Sequence, residues 1–180
     1  MAKKIKLAAV LFTAGAAVLS VLYMRTGFKL FLSLTITFGT FAYHFLMRLL
    51  VGGVYALLMK NKADIEKRRY RVGAREMALY EKLQVKKWKR GMPTYDPSLF
   101  DPRLHTWGEI AQAMCQAELV HETIAVLSFL PIAAGERFGD YPEFIITSAL
   151  AAACDTMFVI MQRYNRQRVM KLLRRESAPK

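Results

Sequence analysis

Residues 7–24 read LAAVLFTAGAAVLSVLYM, a run of 18 residues without a charged side chain. Lys3, Lys4 and Lys6 precede it. A signal peptide has the same basic start, but a shorter apolar core and a small-residue cleavage site. No such site is evident, and further apolar segments follow. We therefore interpret the run as a retained transmembrane helix, because about 20 apolar residues cross a hydrocarbon core of about 30 Å.

Three further apolar segments lie at residues 30–59, 110–134 and 144–161. Each is long enough to cross a bilayer. The sequence thus predicts an all-α integral membrane bundle of four transmembrane helices, with a cytoplasmic amphipathic helix and loop at residues 60–109. We expect a single membrane domain over residues 1–175 and a solvated tail at 176–180.

The composition agrees with a membrane protein and excludes several other classes. The chain has 180 residues, of which 54% are hydrophobic, and a net charge of +13. That apolar content excludes disorder over most of the length. Both cysteines lie in apolar segments, so we expect neither a disulfide framework nor a metal site. Because charged and apolar residues occupy separate segments, we expect anionic lipid or an anionic cosubstrate as partner, and no nucleic acid.

The distribution of Lys and Arg predicts the orientation. The N-terminus, residues 60–109 and the chain from Arg163 onward hold 23 of these residues, against three in the two opposite loops. The positive-inside rule therefore places both termini and the central loop in the cytoplasm of a multi-pass protein, which we expect in a bacterial plasma membrane.

The central loop has internal signals of its own. Charged residues alternate with apolar ones from Lys60 to Arg90, which predicts an amphipathic helix on an anionic membrane surface. A turn-forming run follows at residues 91–97. Thr106 and Glu109 have the spacing of a capping box and predict the start of the third membrane helix.

Six ionisable residues fall inside the apolar segments, where each costs about 2.5–3.5 kcal/mol on insertion scales. At a rise of about 1.5 Å per residue they reach overlapping depths, mostly in the cytoplasmic leaflet. A functional site is the default interpretation of such a set. An ion-pair network that locks the bundle, or snorkelling near helix ends, is the alternative. The six are His44, Arg48, Glu118, His121, Glu122 and Asp155.

A polar run ends the fourth segment. Gln162 and Asn165 are amides on one helix face, and Tyr164 lies between them. Together with Arg163 and Arg166, these side chains could hold a phosphate or a developing oxyanion. A simple stop signal with an aromatic interface anchor is the alternative for the arginines.

Four short motifs in order resemble the glycosyl-4,4'-diaponeurosporenoate acyltransferase family, membrane enzymes of the staphyloxanthin-type carotenoid pathway. The resemblance covers residues 80–175, and the first two helices match only in general character. Gln167 stands where the family pattern has proline. The motifs are Lys86-Lys87-Trp88-Lys89, Ala117-Glu118-Leu119-Val120-His121, Leu130-Pro131 and Gln162-Arg163-Tyr164-Asn165-Arg166.

The resemblance implies transfer of a fatty acyl group from an activated donor to a hydroxyl of a lipid-linked sugar or another lipid acceptor. No bound cofactor is expected, and acyl-CoA is the expected cosubstrate. Its phosphates would suit Lys86, Lys87, Lys89 and Arg90, with Trp88 among them, although topology and anionic lipid also explain this basic run. A small transporter or scaffold subunit that uses the polar cluster for proton or ion handling is the competing function.

A mechanism follows from the residues. We hypothesise that His121 is the general base for the acceptor hydroxyl. Glu118 or Glu122 would orient its imidazole, and we prefer Glu118 because it lies in the shared motif. His44 is a second base or donor, Asp155 belongs to the same catalytic set, and Arg48 is a binding candidate. Direct transfer is favoured, because neither Cys115 nor Cys154 has an evident base partner.

Overall fold

The computed structural model describes residues 2–88, 91–92, 94–139 and 141–176. Over these residues the chain is all-α and contains no strand, as predicted. Short 3₁₀ turns occur at Arg68–Tyr70, Pro97–Phe100 and Leu130–Ala134. The helices are α1 (Ala2–Thr26), α2 (Lys29–Met59), α3 (Ala74–Lys82), α4 (Val85–Trp88), α5 (Trp107–Leu127), α6 (Gly135–Phe138) and α7 (Tyr141–Glu176).

Four helical spans are long and apolar enough to cross a membrane, which confirms the predicted number. They are Ala2–Thr26, Lys29–Met59, Trp107–Phe138 and Tyr141–Glu176. The fourth helix extends well past the predicted end at residue 161. Residues 162–176 contain neither glycine nor proline, so nothing in the backbone ends the helix where its apolar stretch ends.

The third span is divided where the sequence contains Pro131. Helix α5 ends at Leu127, and a 3₁₀ turn follows at Leu130–Ala134. Proline has no N–H to continue the helical hydrogen-bond ladder, and its ring clashes with the preceding turn. Gly139 then adopts a left-handed conformation (φ 79°) after α6, which a residue without Cβ tolerates best.

The described chain divides into two compact units. The first unit contains the described residues of 54–122 and 155–176, and the second contains those of 2–53 and 123–154. Inside the second unit, Phe12 of α1 stacks on Phe41 and Phe45 of α2, with ring centroids 5.1 and 5.6 Å away. Gly15 allows this close approach, because a Cβ there would lie 2.5 Å from the ring of Phe38.

The central segment folds as short helical pieces rather than as one amphipathic helix. Positive φ angles at Lys60, Asn61 and Gln84 (50°, 57° and 54°) interrupt helical geometry, and residues 71–73 are extended or irregular. The apolar residues also differ in their surroundings. Tyr70 and Val85 are buried inside the first unit, whereas others of the predicted apolar face, such as Leu79, are exposed.

The start of α5 agrees with the predicted capping box. Thr106 N–H donates to Glu109 Oε2 at 2.8 Å, and Glu109 N–H donates to Thr106 Oγ1 at 3.3 Å. Two backbone donors without an intrahelical partner are thereby satisfied. The cap fixes the residue at which α5 begins, and hence the register of every polar side chain along it.

Candidate active site

His121 on α5 and Asp155 on α7 form a hydrogen-bonded pair. His121 Nδ1 lies 2.8 Å from Asp155 Oδ1. The Asp155 side chain is 1% exposed, whereas that of His121 is 23% exposed. The imidazole also stacks on Phe158, with ring centroids 4.6 Å apart and planes 8° from parallel. The ring is held at one nitrogen and on one face, yet part of it stays accessible.

Glu118 lies three residues before His121 but contacts a different set of groups. We predicted that it orients the imidazole, because residues at i and i+3 share a helix face. The structure corrects this assignment. Glu118 is fully buried, and its carboxylate accepts hydrogen bonds from Arg163 Nη1, at 2.6 Å, and from Arg166 Nη1. Two guanidinium groups supply stronger, charge-assisted hydrogen bonds than a neutral imidazole would.

Arg163 and Arg166 connect α7 to the central segment. Arg163 donates through Nη1 and Nη2 to the backbone carbonyls of residues 69 and 71, at 3.0 and 3.2 Å. Arg166 Nη2 donates to the carbonyl of residue 70 at 2.8 Å, and its guanidinium lies 5.0 Å from the centre of the Tyr70 ring. The sequence placed both arginines among substrate-binding candidates, whereas most of their donors serve the protein itself.

Glu76 on α3 completes this ion-pair network of Glu76, Glu118, Arg163 and Arg166. It accepts from Arg163 Nε at 2.6 Å and from the Tyr80 hydroxyl. Burial alone raises the pKa of Glu76, but the hydrogen bonds from Arg163 and Tyr80 outweigh it, and the pKa lies below its ordinary 4.5. Burial, followed by the bond to Glu76, raises the pKa of Tyr80 to about 12. At neutral pH Glu76 is therefore ionised beside the Arg163 guanidinium.

Glu122 is the other carboxylate that we considered for orienting His121. It pairs instead with Arg69, whose Nη2 lies 2.6 Å from Glu122 Oε2. The two side chains are 37% and 51% exposed, so solvent screens their interaction.

The predicted polar run at the end of the fourth segment lies beside a cavity of about 690 Å³ inside the first unit. Gln162, Tyr164 and Asn165 all line it. Tyr164 is otherwise packed in an apolar cluster that includes Tyr80 and Val85. Three polar residues of this run therefore border a space large enough for a ligand.

The basic run at residues 86–89 is only partly described. Lys86 and Lys87 are exposed on α4, and Trp88 packs against the apolar cluster that contains Tyr80 and Tyr164. Lys89, together with the neighbouring Arg90, falls outside the described residues. None of the described three lines the cavity.

The two polar residues predicted on the second helix belong to the second unit. His44 is buried, and its ring meets that of Tyr43 edge to face at 5.4 Å. Arg48 Nη1 donates to the His44 carbonyl at 3.1 Å, one turn back on the same helix. That these two residues share a depth with His121 stays a prediction.

Several residues of this region escaped the sequence analysis. Phe158 lies three residues after Asp155, on the same side of α7, so both side chains can contact His121. Glu76 is one of few acidic residues in a strongly basic segment, a signal that it pairs within the protein. Three basic residues that line the cavity were seen only as topology signals: Arg168, Lys171 and Arg175.

The described residues contain no group of three or more His, Cys, Asp or Glu side chains that could hold a metal ion. The geometry is that of a partly exposed imidazole hydrogen-bonded to a buried carboxylate, and an ion-pair network and a cavity lie in the same unit.

Comparison with known families identifies the chain. Residues 61–175 match the family described as glycosyl-4,4'-diaponeurosporenoate acyltransferase. The match includes both members of the His121–Asp155 pair and the whole ion-pair network. Comparisons with curated proteins and with solved structures gave no match. With four apolar helices and a family match over more than half of its length, the chain belongs to the glycosyl-4,4'-diaponeurosporenoate acyltransferase family and is a membrane acyltransferase.

Proposed function

We propose that this acyltransferase moves a fatty acyl group from acyl-CoA to a hydroxyl of a glycolipid or another lipid-linked acceptor at the cytoplasmic leaflet, with His121 as general base. One observation carries the proposal: a partly accessible imidazole is hydrogen-bonded through Nδ1 to a buried carboxylate at 2.8 Å. The family supplies the reaction class, acyl transfer within the staphyloxanthin pathway.

The role of Asp155 follows from the two nitrogens of the ring. A carboxylate that accepts from Nδ1–H fixes the tautomer in which Nε2 carries the lone pair. The same carboxylate stabilises the imidazolium that forms when Nε2 takes a proton. Phe158 stacks on the ring and limits its rotation. Asp155 and Phe158 are therefore positioning residues, and His121 is the residue that touches the acceptor.

The reaction is a direct acyl transfer. The acceptor hydroxyl gives its proton to His121 Nε2 while its oxygen attacks the thioester carbonyl, and a C–O bond forms in a tetrahedral oxyanion. The C–S bond then breaks, and the thiolate takes the proton from the imidazolium. The products are an ester and a free thiol, and the imidazole returns to its neutral form. Cys115 is fully buried, which supports direct transfer over an acyl-cysteine intermediate.

The oxyanion needs donors that are not already engaged. Arg163 was a candidate, but its guanidinium donates to Glu76, Glu118 and two backbone carbonyls. Tyr164 is packed in an apolar cluster. Asn165 lies ten residues after Asp155 on α7, about 15 Å along the helix, so it is too far from His121 to meet the oxyanion, and we assign the oxyanion no donor from this run.

The Glu118 network has a different function in this proposal. Glu118 is buried and saturated by two guanidinium groups, so it is poorly suited to exchange a proton during turnover. We assign it, with Arg163 and Arg166, to holding the backbone of residues 69–71 against α5 and α7.

Orientation has its own test. The proposed cytoplasmic leaflet depends on the excess of Lys and Arg in the central loop and at both termini. A membrane-impermeant thiol reagent added outside intact cells should label a cysteine introduced at Gly139 and not one introduced at Gly91. The reverse pattern would place the site on the outer face.

The central experiment replaces His121 with Gln, which keeps hydrogen bonding but takes no proton near neutral pH. We expect the folded, membrane-inserted variant to lose about 10²–10⁴-fold in acyl-transfer rate, the usual contribution of a general base. His105→Gln is the matched control, because His105 lies in the loop before α5 and should keep full activity. Normal turnover by His121→Gln would reject the proposal, and loss of activity in His44→Gln alone would move the base to α2.

A further inference from the structure

The cavity of the first unit combines an apolar wall, two amides and a basic face. Its volume of about 690 Å³ falls in the range of about 300–1,000 Å³ that is usual for small-molecule sites. The apolar wall includes Phe100, Trp107, Ile110 and Met114, from the loop before α5 and the first turns of α5. Helix α7 supplies the two amides and the basic residues of the lining.

The basic face consists of Arg168, Lys171 and Arg175. Their spacing of three and four residues puts them on one side of α7. All three are exposed, and all three line the cavity, as does one carboxylate, that of Glu81. Three cations beside an apolar space complement a ligand that carries several anionic groups at one end and apolar groups along its length.

The side of α7 that carries Asp155 continues to the two amides, and the basic face begins one turn later, rotated around the helix by about 140° from Asp155. Asp155, Phe158, Gln162 and Asn165 follow one another at helical spacing of three, four and three residues. At 1.5 Å per residue, Arg168 lies about 20 Å along the helix from Asp155. A ligand whose reactive carbon lies at His121 would therefore pass the two amides and turn around α7 before its charged end meets Arg168.

We infer that this cavity binds the coenzyme A part of the acyl donor, with its phosphates on Arg168, Lys171 and Arg175. The inference rests on the proposed function and replaces Lys86, Lys87 and Lys89 as the phosphate site. The pantetheine arm has the reach of four to five extended residues, roughly 16 Å, which approaches the distance along α7. Its two amide groups match the carboxamides of Gln162 and Asn165, and its methyl groups and adenine match the apolar wall.

Binding of free coenzyme A, measured by calorimetry in nonionic detergent, tests the inference without interference from an acyl chain that partitions into micelles. The triple variant Arg168→Gln/Lys171→Gln/Arg175→Gln should bind roughly tenfold more weakly or worse, because three charge-assisted contacts are removed. Wild-type affinity should fall as salt is added. The replaced side chains are exposed, so the variant should fold, and its melting temperature provides the check.

A matched control removes three positive charges elsewhere in the same unit. Lys67→Gln/Lys82→Gln/Arg174→Gln affects exposed residues that do not line the cavity, and its affinity should stay within about twofold of wild type. The affinity of the double variant Lys86→Gln/Lys87→Gln for coenzyme A should also stay within about twofold of wild type. If the triple variant and its control lose affinity for coenzyme A equally, the effect is general electrostatic attraction and the inference is overturned. A larger loss of affinity in Lys86→Gln/Lys87→Gln than in the triple variant would also overturn it.

The inference and the proposed function can fail separately. If wild-type protein binds no coenzyme A but transfers acyl groups from acyl carrier protein, the cavity assignment is wrong and His121 keeps its role. If coenzyme A binds as described and His121→Gln transfers acyl groups normally, the base assignment is wrong and the cavity assignment stands.

Discussion

Two acidic residues beside His121 have opposite surroundings. Glu118 lies on the same helix, is fully buried, and meets the guanidinium groups of Arg163 and Arg166. Asp155 lies 34 residues away on α7, is equally buried, and meets an imidazole that is 23% exposed. One carboxylate is enclosed by fixed charges, and the other faces a ring that can gain and lose a proton.

Under the mechanism that we propose, the two carboxylates have different functions. In that mechanism the carboxylate held by two guanidinium groups contributes to structure, through its charge-assisted hydrogen bonds. A carboxylate on a histidine stabilises the charge that appears when the ring is protonated, so its contribution changes during the reaction. Spacing within α5 favours Glu118 as the carboxylate that stabilises the His121 imidazolium, whereas the packing of α5 against α7 favours Asp155.

The largest expected effect comes from Asp155→Asn. The amide keeps the size of the side chain but does not enforce the tautomer that leaves Nε2 as the base. We expect the acyl-transfer rate to fall by about 10²–10⁴-fold, with little change in melting temperature. Mass spectrometry of the acylated lipid, normalised to folded protein, measures this. Full activity in Asp155→Asn would show that Asp155 is not needed to position His121.

Glu118→Gln should act on stability instead. Removing the carboxylate leaves the buried Arg166 guanidinium without its ion-pair partner, while Arg163 keeps Glu76, and we expect a cost of about 3–5 kcal/mol. We expect a clearly lower melting temperature in detergent, while the protein that stays folded keeps its specific activity within about tenfold. Glu122→Gln is the control, because its ion pair with Arg69 is exposed and should contribute less than about 1 kcal/mol. A stable but inactive Glu118→Gln would return Glu118 to the catalytic set.

A smaller effect concerns pH and Glu76. Because the pKa of Glu76 is lower in the folded protein than its ordinary value of 4.5, ionised Glu76 stabilises the folded state at neutral pH. That stabilisation should be present above about pH 4.5 and disappear as the pH falls through the folded pKa. The difference in unfolding free energy between wild type and Glu76→Gln, roughly 1–3 kcal/mol at pH 7, should therefore shrink toward pH 3. A difference that is constant with pH would show that the carboxylate charge contributes nothing.

Much of the fold could be predicted from local sequence. The four membrane spans follow from uninterrupted apolar runs, and the start of α5 follows from the capping box of Thr106 and Glu109. These features depend on neighbours within one helix or one turn. The fourth helix was predicted too short because seven of its last 15 residues are charged, and charge does not end a helix that lacks glycine and proline.

The partners of the polar residues could be predicted only in part. His121 and Asp155 were both candidates, but their pairing depends on the register between α5 and α7, which spacing within one helix does not reveal. The same register places Arg163 on Glu118. Arg163 also contacts Glu76, which lies on the separate short helix α3. A sequence reading that assigns partners by i+3 and i+4 spacing misses such contacts, because they form between elements.

The most direct test of the central claim is a double-mutant cycle on His121 and Asp155, measured as the single-turnover rate of acyl transfer. If Asp155 acts only through His121, the two residues form one catalytic unit and their effects are strongly non-additive. The account predicts that His121→Gln/Asp155→Asn is no slower than His121→Gln alone. A double variant slower by the product of the two single effects would show that Asp155 acts independently of His121, and would contradict the account.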